Sequence, residues 1–226
     1  MEPFNICKRG FDFLISLLGL IILCPLLLII AIGIRLESKG ASIFRQERAG
    51  KSGKPFVFYK FRTMKLGTDA YGPSPKSGED TRLTRIGSFL REYSLDELPQ
   101  LYNIIKGDMS LVGPRPLYIS QINEWNERQK KRLLVKPGLT GLAQVKGRGE
   151  ITQEEKLELD VQYVEKAGFF VDCKIMLTTF FSVFKKKIFI TPFLKTRIVV
   201  RPNRIKRYFT RLMEMNCILF KAIVRR

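Results

Sequence analysis

The sequence predicts a membrane-associated α+β protein, with a proline-broken re-entrant helix at the N-terminus, a mixed domain containing a short β-hairpin, and interfacial amphipathic helices. Three observations carry this. Residues 13–34 hold no charged side chain. Beyond residue 40 the pattern changes to period-two alternation. The chain is 45% hydrophobic yet has a formal net charge of +19, and the two excesses lie in different segments.

At about 1.5 Å per residue, a straight helix over residues 13–34 just crosses a hydrocarbon core of about 30 Å. A single span is therefore one reading. Two features favour a helix that enters one leaflet, breaks at Cys24-Pro25 and returns. Pro25 lies at the midpoint, where it removes a backbone hydrogen bond. Lys8 and Arg9 precede the run and Arg35 and Lys39 follow it, so neither flank suits translocation. No small-residue cleavage site follows, which disfavours a removed secretory signal.

Residues 42–47 and 56–64 alternate as strands across the Gly50-Lys51-Ser52-Gly53-Lys54-Pro55 turn and predict a hairpin. Lys60 and Arg62 fall on one face of its second strand. Two solvated strand cations and two anion ligands are both consistent with that placement. Residues 65–81, rich in Gly, Pro, Ser and Asp, predict a long loop of the kind that often binds or covers a ligand.

Ser94, with Glu97 three residues on, has the form of a capping box. Leu98, Leu101, Tyr102 and Ile105 then follow at helical spacing, and Gly107 supplies a stop. Pro99 is either the fifth helical residue, at the cost of a hydrogen bond, or the first, which leaves Asp96 and Glu97 just outside. Either way both carboxylates lie near the positive end of a helix dipole, which favours their ionised forms. An ionised aspartate is what covalent phosphoryl transfer requires.

In Gly113-Pro114-Arg115-Pro116 two prolines brace an arginine, so the backbone loses little freedom when the guanidinium grips a phosphate. A rigid surface turn with a solvated arginine is the alternative. Lys136-Pro137-Gly138-Leu139-Thr140-Gly141, leading to Gln144 and Gly147-Arg148-Gly149, is a second glycine-punctuated loop able to bring backbone donors to an anion. Residues 169–184 mix aromatic and aliphatic side chains with only Asp172 and Lys174 as charges and predict an interfacial helix. Residues 185–226 carry thirteen Lys or Arg against the single acid Glu214, a net of +12 that suits an anionic membrane surface. Phe209, Leu212, Met213, Ile218, Leu219 and Phe220 add partial helical amphipathicity there.

The chain has no histidine, which excludes Ser-His-Asp and Cys-His catalysis, histidine-ligated zinc and phosphohistidine chemistry. Cys7, Cys24, Cys173 and Cys217 are far apart and form no Cys-x-x-Cys unit, so neither a zinc cluster nor a redox dithiol is expected. Catalysis must rest on carboxylates, amines, guanidinium groups, hydroxyls and an oxygen-held hard cation.

These segments together resemble the bacterial sugar transferase family, the small monotopic phosphoglycosyl transferases that begin lipid-linked glycan assembly. The matching residues are Lys8-Arg9 and Asp12 before a proline-broken helix, Tyr59 through Met64, Asp96-Glu97 through Gly107-Asp108-Met109-Ser110, Gly113-Pro114-Arg115-Pro116, and Lys136-Pro137-Gly138 through Arg148. The likeness covers about residues 6–187. Cys24 stands where a serine is more usual and Gly149 where an asparagine is more usual.

The resemblance implies transfer of a phosphosugar from a UDP-sugar to polyprenol (undecaprenyl) phosphate, with release of UMP and dependence on Mg2+. It implies Asp96 as the nucleophile that forms a covalent adduct, with Glu97 holding the metal beside Asp96 or managing the lipid phosphate. Lys60, Arg91 and Arg115 match the family's anionic pocket, as do Arg62, Gln144 and Arg148 on weaker grounds. It also implies a re-entrant helix at the cytoplasmic face of the bacterial inner membrane, with downstream glycosyltransferases as possible partners. The expected segments are 1–40 for the membrane helix, 41–187 for the catalytic domain and 188–226 for the basic extension. A membrane-tethered nucleotide-sugar phosphodiesterase and a basic membrane or nucleic-acid tether are the alternatives. No nucleic-acid recognition fold is visible, and no nucleic-acid partner is expected.

Overall fold

The computed structural model describes residues 2–69, 80–147 and 151–187. Most of the predicted loop 65–81, Arg148, and the basic C-terminal segment from 188 onward lie outside the described residues.

Helix α1 (Glu2–Glu37) is one α-helix that includes Pro25. The expected break at Cys24-Pro25 is therefore not an interruption of the helix. A proline removes only its own N–H from the ladder, and an apolar run of this length holds the turns on either side. Both ends of α1 are fastened to the domain that follows. Near the N-terminus, Arg9 donates to the carbonyls of Ile104 and Ile105. The Asp12 carboxylate accepts from Ser110 Oγ at 2.7 Å and the Leu111 amide at 3.2 Å. Lys8 pairs with Asp172. Near the C-terminus, Ile30 and Ile34 are buried with Phe61 and Leu90, and Glu37 accepts from the Arg85 amide at 2.6 Å and the Ile86 amide at 3.1 Å. Between the two attachments Leu14, Leu18, Ile21, Ile22 and Ile29 are exposed.

Strands β1 (Ile43–Ala49) and β2 (Pro55–Phe61) form the predicted antiparallel hairpin, in register from Ile43 opposite Phe61 to Ala49 opposite Pro55. The reversal is a 3-10 turn over Lys51–Gly53, in which Ser52 takes φ +57°. Helix α2 (Arg85–Glu92) is N-capped by Thr84, whose hydroxyl accepts from the Gly87 amide. Helix α3 (Gln100–Lys106) stops at Gly107, which adopts φ +95°, as a helix-terminating glycine does.

Strand β3 (Ser110–Val112), the short α4 (Glu127–Lys130), and strand β4 (Gly138–Thr140) come next. The two strands pair in parallel, Ser110 with Gly138 and Val112 with Thr140. Helices α5 (Leu142–Lys146), α6 (Gln153–Lys166) and α7 (Phe169–Lys187) complete the described chain. The main core joins Phe58, Leu101, Ile104, Met109, Val112 and Tyr163. Helix α7 matches the helix predicted over 169–184 and exposes Phe169, Phe170, Leu177, Phe180 and Phe181.

Candidate active site

Asp96 and Glu97 lie in a 3-10 turn, Leu95–Glu97, between α2 and α3. Pro99 is the N-cap of α3, so both carboxylates stand outside that helix. The predicted capping box is absent. Ser94 sits in the left-handed region at φ +56° and its side chain makes no cap bond. The helix begins only after Pro99, and Ser94 is too far upstream to cap it. The Glu97 carboxylate accepts instead from Arg115 Nη2 at 2.6 Å.

Asp96 is 6% exposed. Burial pushes its carboxyl up to about 6, Glu97 pushes the same way, and Arg91, Lys60 and Arg115 act against them. Desolvation beside a second carboxylate thus opposes the ionised form that the helix dipole favours, although a group at about 6 is still mostly ionised at neutral pH. Lys60, on β2, is lowered to about 8, first by burial and then by Arg91, while Asp96 opposes the shift. Arg91, at the end of α2, is lowered by burial and raised by Asp96. The Arg115 guanidinium is raised, chiefly by Glu97. Lys60, Arg91, Asp96, Glu97 and Arg115 are thus one electrostatic group. Its three cations against two carboxylates leave an excess of positive charge for a diphosphate.

The framework explains how distant segments meet here. Asn103, fully buried in α3, donates Nδ2 to the Val57 carbonyl at 2.6 Å and accepts from the Tyr59 amide at 3.1 Å. Its amide acts as an extra rung on β2 and fixes the strand that carries Lys60. Sequence reasoning missed Asn103, whose one signal is a polar side chain amid apolar helix residues. The segment before Arg115 is held to β4: the Gly113 amide donates to the Thr140 carbonyl at 2.9 Å, and the Gly138 amide to the Pro114 carbonyl at 2.8 Å. Added Cβ atoms at Gly113 or Gly138 would strike the opposing backbone, which is why these positions are glycine.

Arg62 lies apart from this group. Arg62 is buried past the end of β2, donating to the Lys39 carbonyl at 2.6 Å and to the Ser38 carbonyl and hydroxyl at 3.0 and 2.8 Å. The charge it senses is Arg35, not Asp96. It closes the end of α1. Gln144, on α5, donates to the Leu139 carbonyl at 3.3 Å, and its Oε1 is buried with no partner among the described residues.

Asp96 and Glu97 offer hard oxygen donors, and no group of three His, Cys, Asp or Glu forms among the described residues. Magnesium is commonly held by one or two carboxylates with substrate phosphates completing its shell. The two carboxylates fit such an ion.

The bacterial sugar transferase family model matches residues 4–186. The uncharacterized sugar transferase EpsL of Bacillus subtilis (strain 168) is 44% identical over 174 residues, covering 77% of this chain and 85% of the relative. A UDP-glucose:undecaprenyl-phosphate glucose-1-phosphate transferase of Klebsiella pneumoniae is 41% identical over 188 residues, covering 80% of this chain and 40% of the relative. The protein of the same name from Escherichia coli (strain K12) is 38% identical over 191 residues, covering 81% of this chain and 41% of the relative. This chain spans about two fifths of the length of those two relatives. With a match running through α1, the Asp96-Glu97 turn and α7, this chain belongs to the bacterial sugar transferase family.

Proposed function

We propose that this chain transfers a sugar phosphate from a UDP-sugar to polyprenol phosphate, releases UMP, and thereby begins assembly of a lipid-linked glycan. A carboxylate oxygen of Asp96 attacks the sugar-bearing phosphorus. The anhydride bond to UMP breaks, UMP leaves, and an aspartyl phosphosugar remains. An oxygen of polyprenol phosphate then attacks the same phosphorus, displaces the Asp96 carboxylate and forms a new anhydride. One anhydride is lost and one is gained, so no further energy source is required.

The observation that carries this reading is a buried aspartate within the electrostatic influence of Arg91, Lys60 and Arg115, in one folded unit with an apolar helix. Lys60, Arg91 and Arg115 hold the diphosphate and offset the charge that develops on the departing UMP. Asp96 and Glu97 would hold Mg2+, which supplies charge neutralisation to the diphosphate. The Klebsiella and Escherichia relatives carry names that state a UDP-sugar donor and undecaprenyl phosphate as acceptor.

The membrane reading is that α1, one helix bent at Pro25, dips into one leaflet and returns at the cytoplasmic face of the inner membrane. Its support is that Asp12 and Glu37, 25 positions apart, both bond to backbone amides of the same unit. A perpendicular span would place those attachments on opposite sides of the hydrocarbon. The exposed aromatic residues of α7 supply a second apolar surface for the same interface.

Purified protein in detergent tests the chemistry. UMP release that requires polyprenol phosphate, or a single stoichiometric burst without it, agrees with transfer. Sustained release without lipid identifies a hydrolase, and no release with any UDP-sugar contradicts the proposal.

A further inference from the structure

Arg132, in the 3-10 turn Lys131–Leu134, and Asp160, in α6, form an ion pair beside the site, with Nη2 to Oδ2 at 2.7 Å and both side chains 3% exposed. The same Nη2 donates its second hydrogen to the carbonyl of Arg115 at 2.6 Å. The guanidinium lies over the buried ring of Trp125, 4.8 Å from its centroid.

The pair is poorly built for stability alone. Arg132 Nε and Asp160 Oδ1 are buried with no partner among the described residues. An apolar pair of similar volume is often as good or better than a buried ion pair, and it leaves no polar atoms unmet. What an apolar pair cannot do is hold the Arg115 carbonyl. That carbonyl belongs to the peptide leading into Pro116, which has no N–H, and its direction is set by ψ of Arg115. The flanking prolines fix their own φ angles and bias Arg115 toward extended backbone, but they do not fix that ψ.

We infer that Arg132, held by Asp160, is a positioning residue for Arg115, fixing the backbone from which the Arg115 guanidinium reaches Glu97 and the diphosphate, a role that rests on the transfer chemistry proposed above. It does not touch the substrate. It acts by removing the freedom of a half-exposed cation that must meet a phosphate in one geometry.

The test replaces the whole pair, Arg132→Met with Asp160→Leu, so that no buried charge is stranded. It is made in the native background and in an Arg115→Ala background. In the native background, loss of one charge-assisted hydrogen bond predicts a rise of about tenfold to hundredfold in KM for the UDP-sugar, with a smaller change in kcat. In the Arg115→Ala background the same exchange should alter KM by less than about twofold, because nothing remains to be positioned. Equal losses in both backgrounds, or no loss in the native one, overturn the inference. If the exchanged pair does not fold, Asp160→Asn, which keeps an acceptor but no charge, is read in the same cycle.

A second readout does not depend on turnover. Arg115 should react with phenylglyoxal about threefold faster or more once the pair is exchanged, since its bond to Glu97 is then less constrained. The exposed Arg45 serves as an unchanged reference. An unchanged rate at Arg115 overturns the inference whether or not any donor is consumed. Failure of the transfer reading shows separately, as no UMP release by the unaltered chain.

Discussion

The pH dependence of the first half-reaction follows from two side chains with opposite requirements. Asp96 must be ionised to attack, and burial beside Glu97 holds its proton up to about 6. A group titrating at about 6 is about one tenth ionised at pH 5 and about nine tenths at pH 7, so the rate should fall roughly tenfold between those values. Lys60 must be protonated to hold phosphate, and burial together with Arg91 lowers it to about 8. The rate should therefore also decline above about pH 8, giving a bell with limbs near 6 and 8. The assay is the rapid-quench UMP burst without polyprenol phosphate. The acceptor's own proton, with a pKa of about 6, is then absent. Two variants separate the limbs. Glu97→Gln removes a like charge from beside Asp96 and should move the acid limb to lower pH, whatever it does to the plateau. Lys60→Arg keeps its charge at all relevant pH values and should abolish the alkaline limb. A burst rate at pH 5 within about threefold of that at pH 7, or an alkaline fall that survives Lys60→Arg, refutes these assignments.

Three further outcomes are expected. The folded chain holds the Asp96 proton to about 6, against about 4 when unfolded, so ionisation in that window opposes folding. Asp96→Asn should thus raise stability at pH 7.5 in chelator by up to about 3 kcal/mol, a few degrees or more in Tm, with the gain vanishing toward pH 4. A lower Tm at pH 7.5 counts against a buried, unfavourably ionised aspartate. Arg62→Met should cost about 3 kcal/mol of stability, because the Ser38 and Lys39 carbonyls, just past the end of α1, lose a charged donor. It should leave the burst rate per folded molecule unchanged, and a lost burst in folded protein would return Arg62 to the binding group. Finally, tags at the two termini should both be shielded from impermeant reagents in intact cells. Labelling of the N-terminal tag alone would show a full span.

Much of the site could be read from local patterns. Alternation and a glycine-rich turn placed Lys60 on a hairpin strand, and Gly107 ended α3 at φ +95°. The adjacent carboxylates and the proline-braced Arg115 drew attention through residue type alone, and the structure brings them into one bridge. What could not be read depends on distant contacts. Strands of three residues, such as β3 and β4, are too short to show a period, and so β4 lies hidden in a predicted glycine-punctuated loop and its parallel pairing with β3 is not legible. Asn103 bonds the backbone of β2, a partner more than forty residues away. Arg62 shares strand parity with Lys60, yet the strand ends at Phe61 and the arginine turns to the end of α1. The dipole beside Asp96 is a local field that follows from the sequence, whereas the burial that opposes it depends on tertiary packing.

The most direct measurement is intact-protein mass after exposure to a panel of UDP-sugars with Mg2+ and no lipid, followed by peptide mapping. The expected result is a phosphosugar adduct on Asp96 that is absent in Asp96→Asn and disappears on addition of polyprenol phosphate. An adduct on another residue, or lipid-dependent UMP release with no adduct at any time, would contradict it.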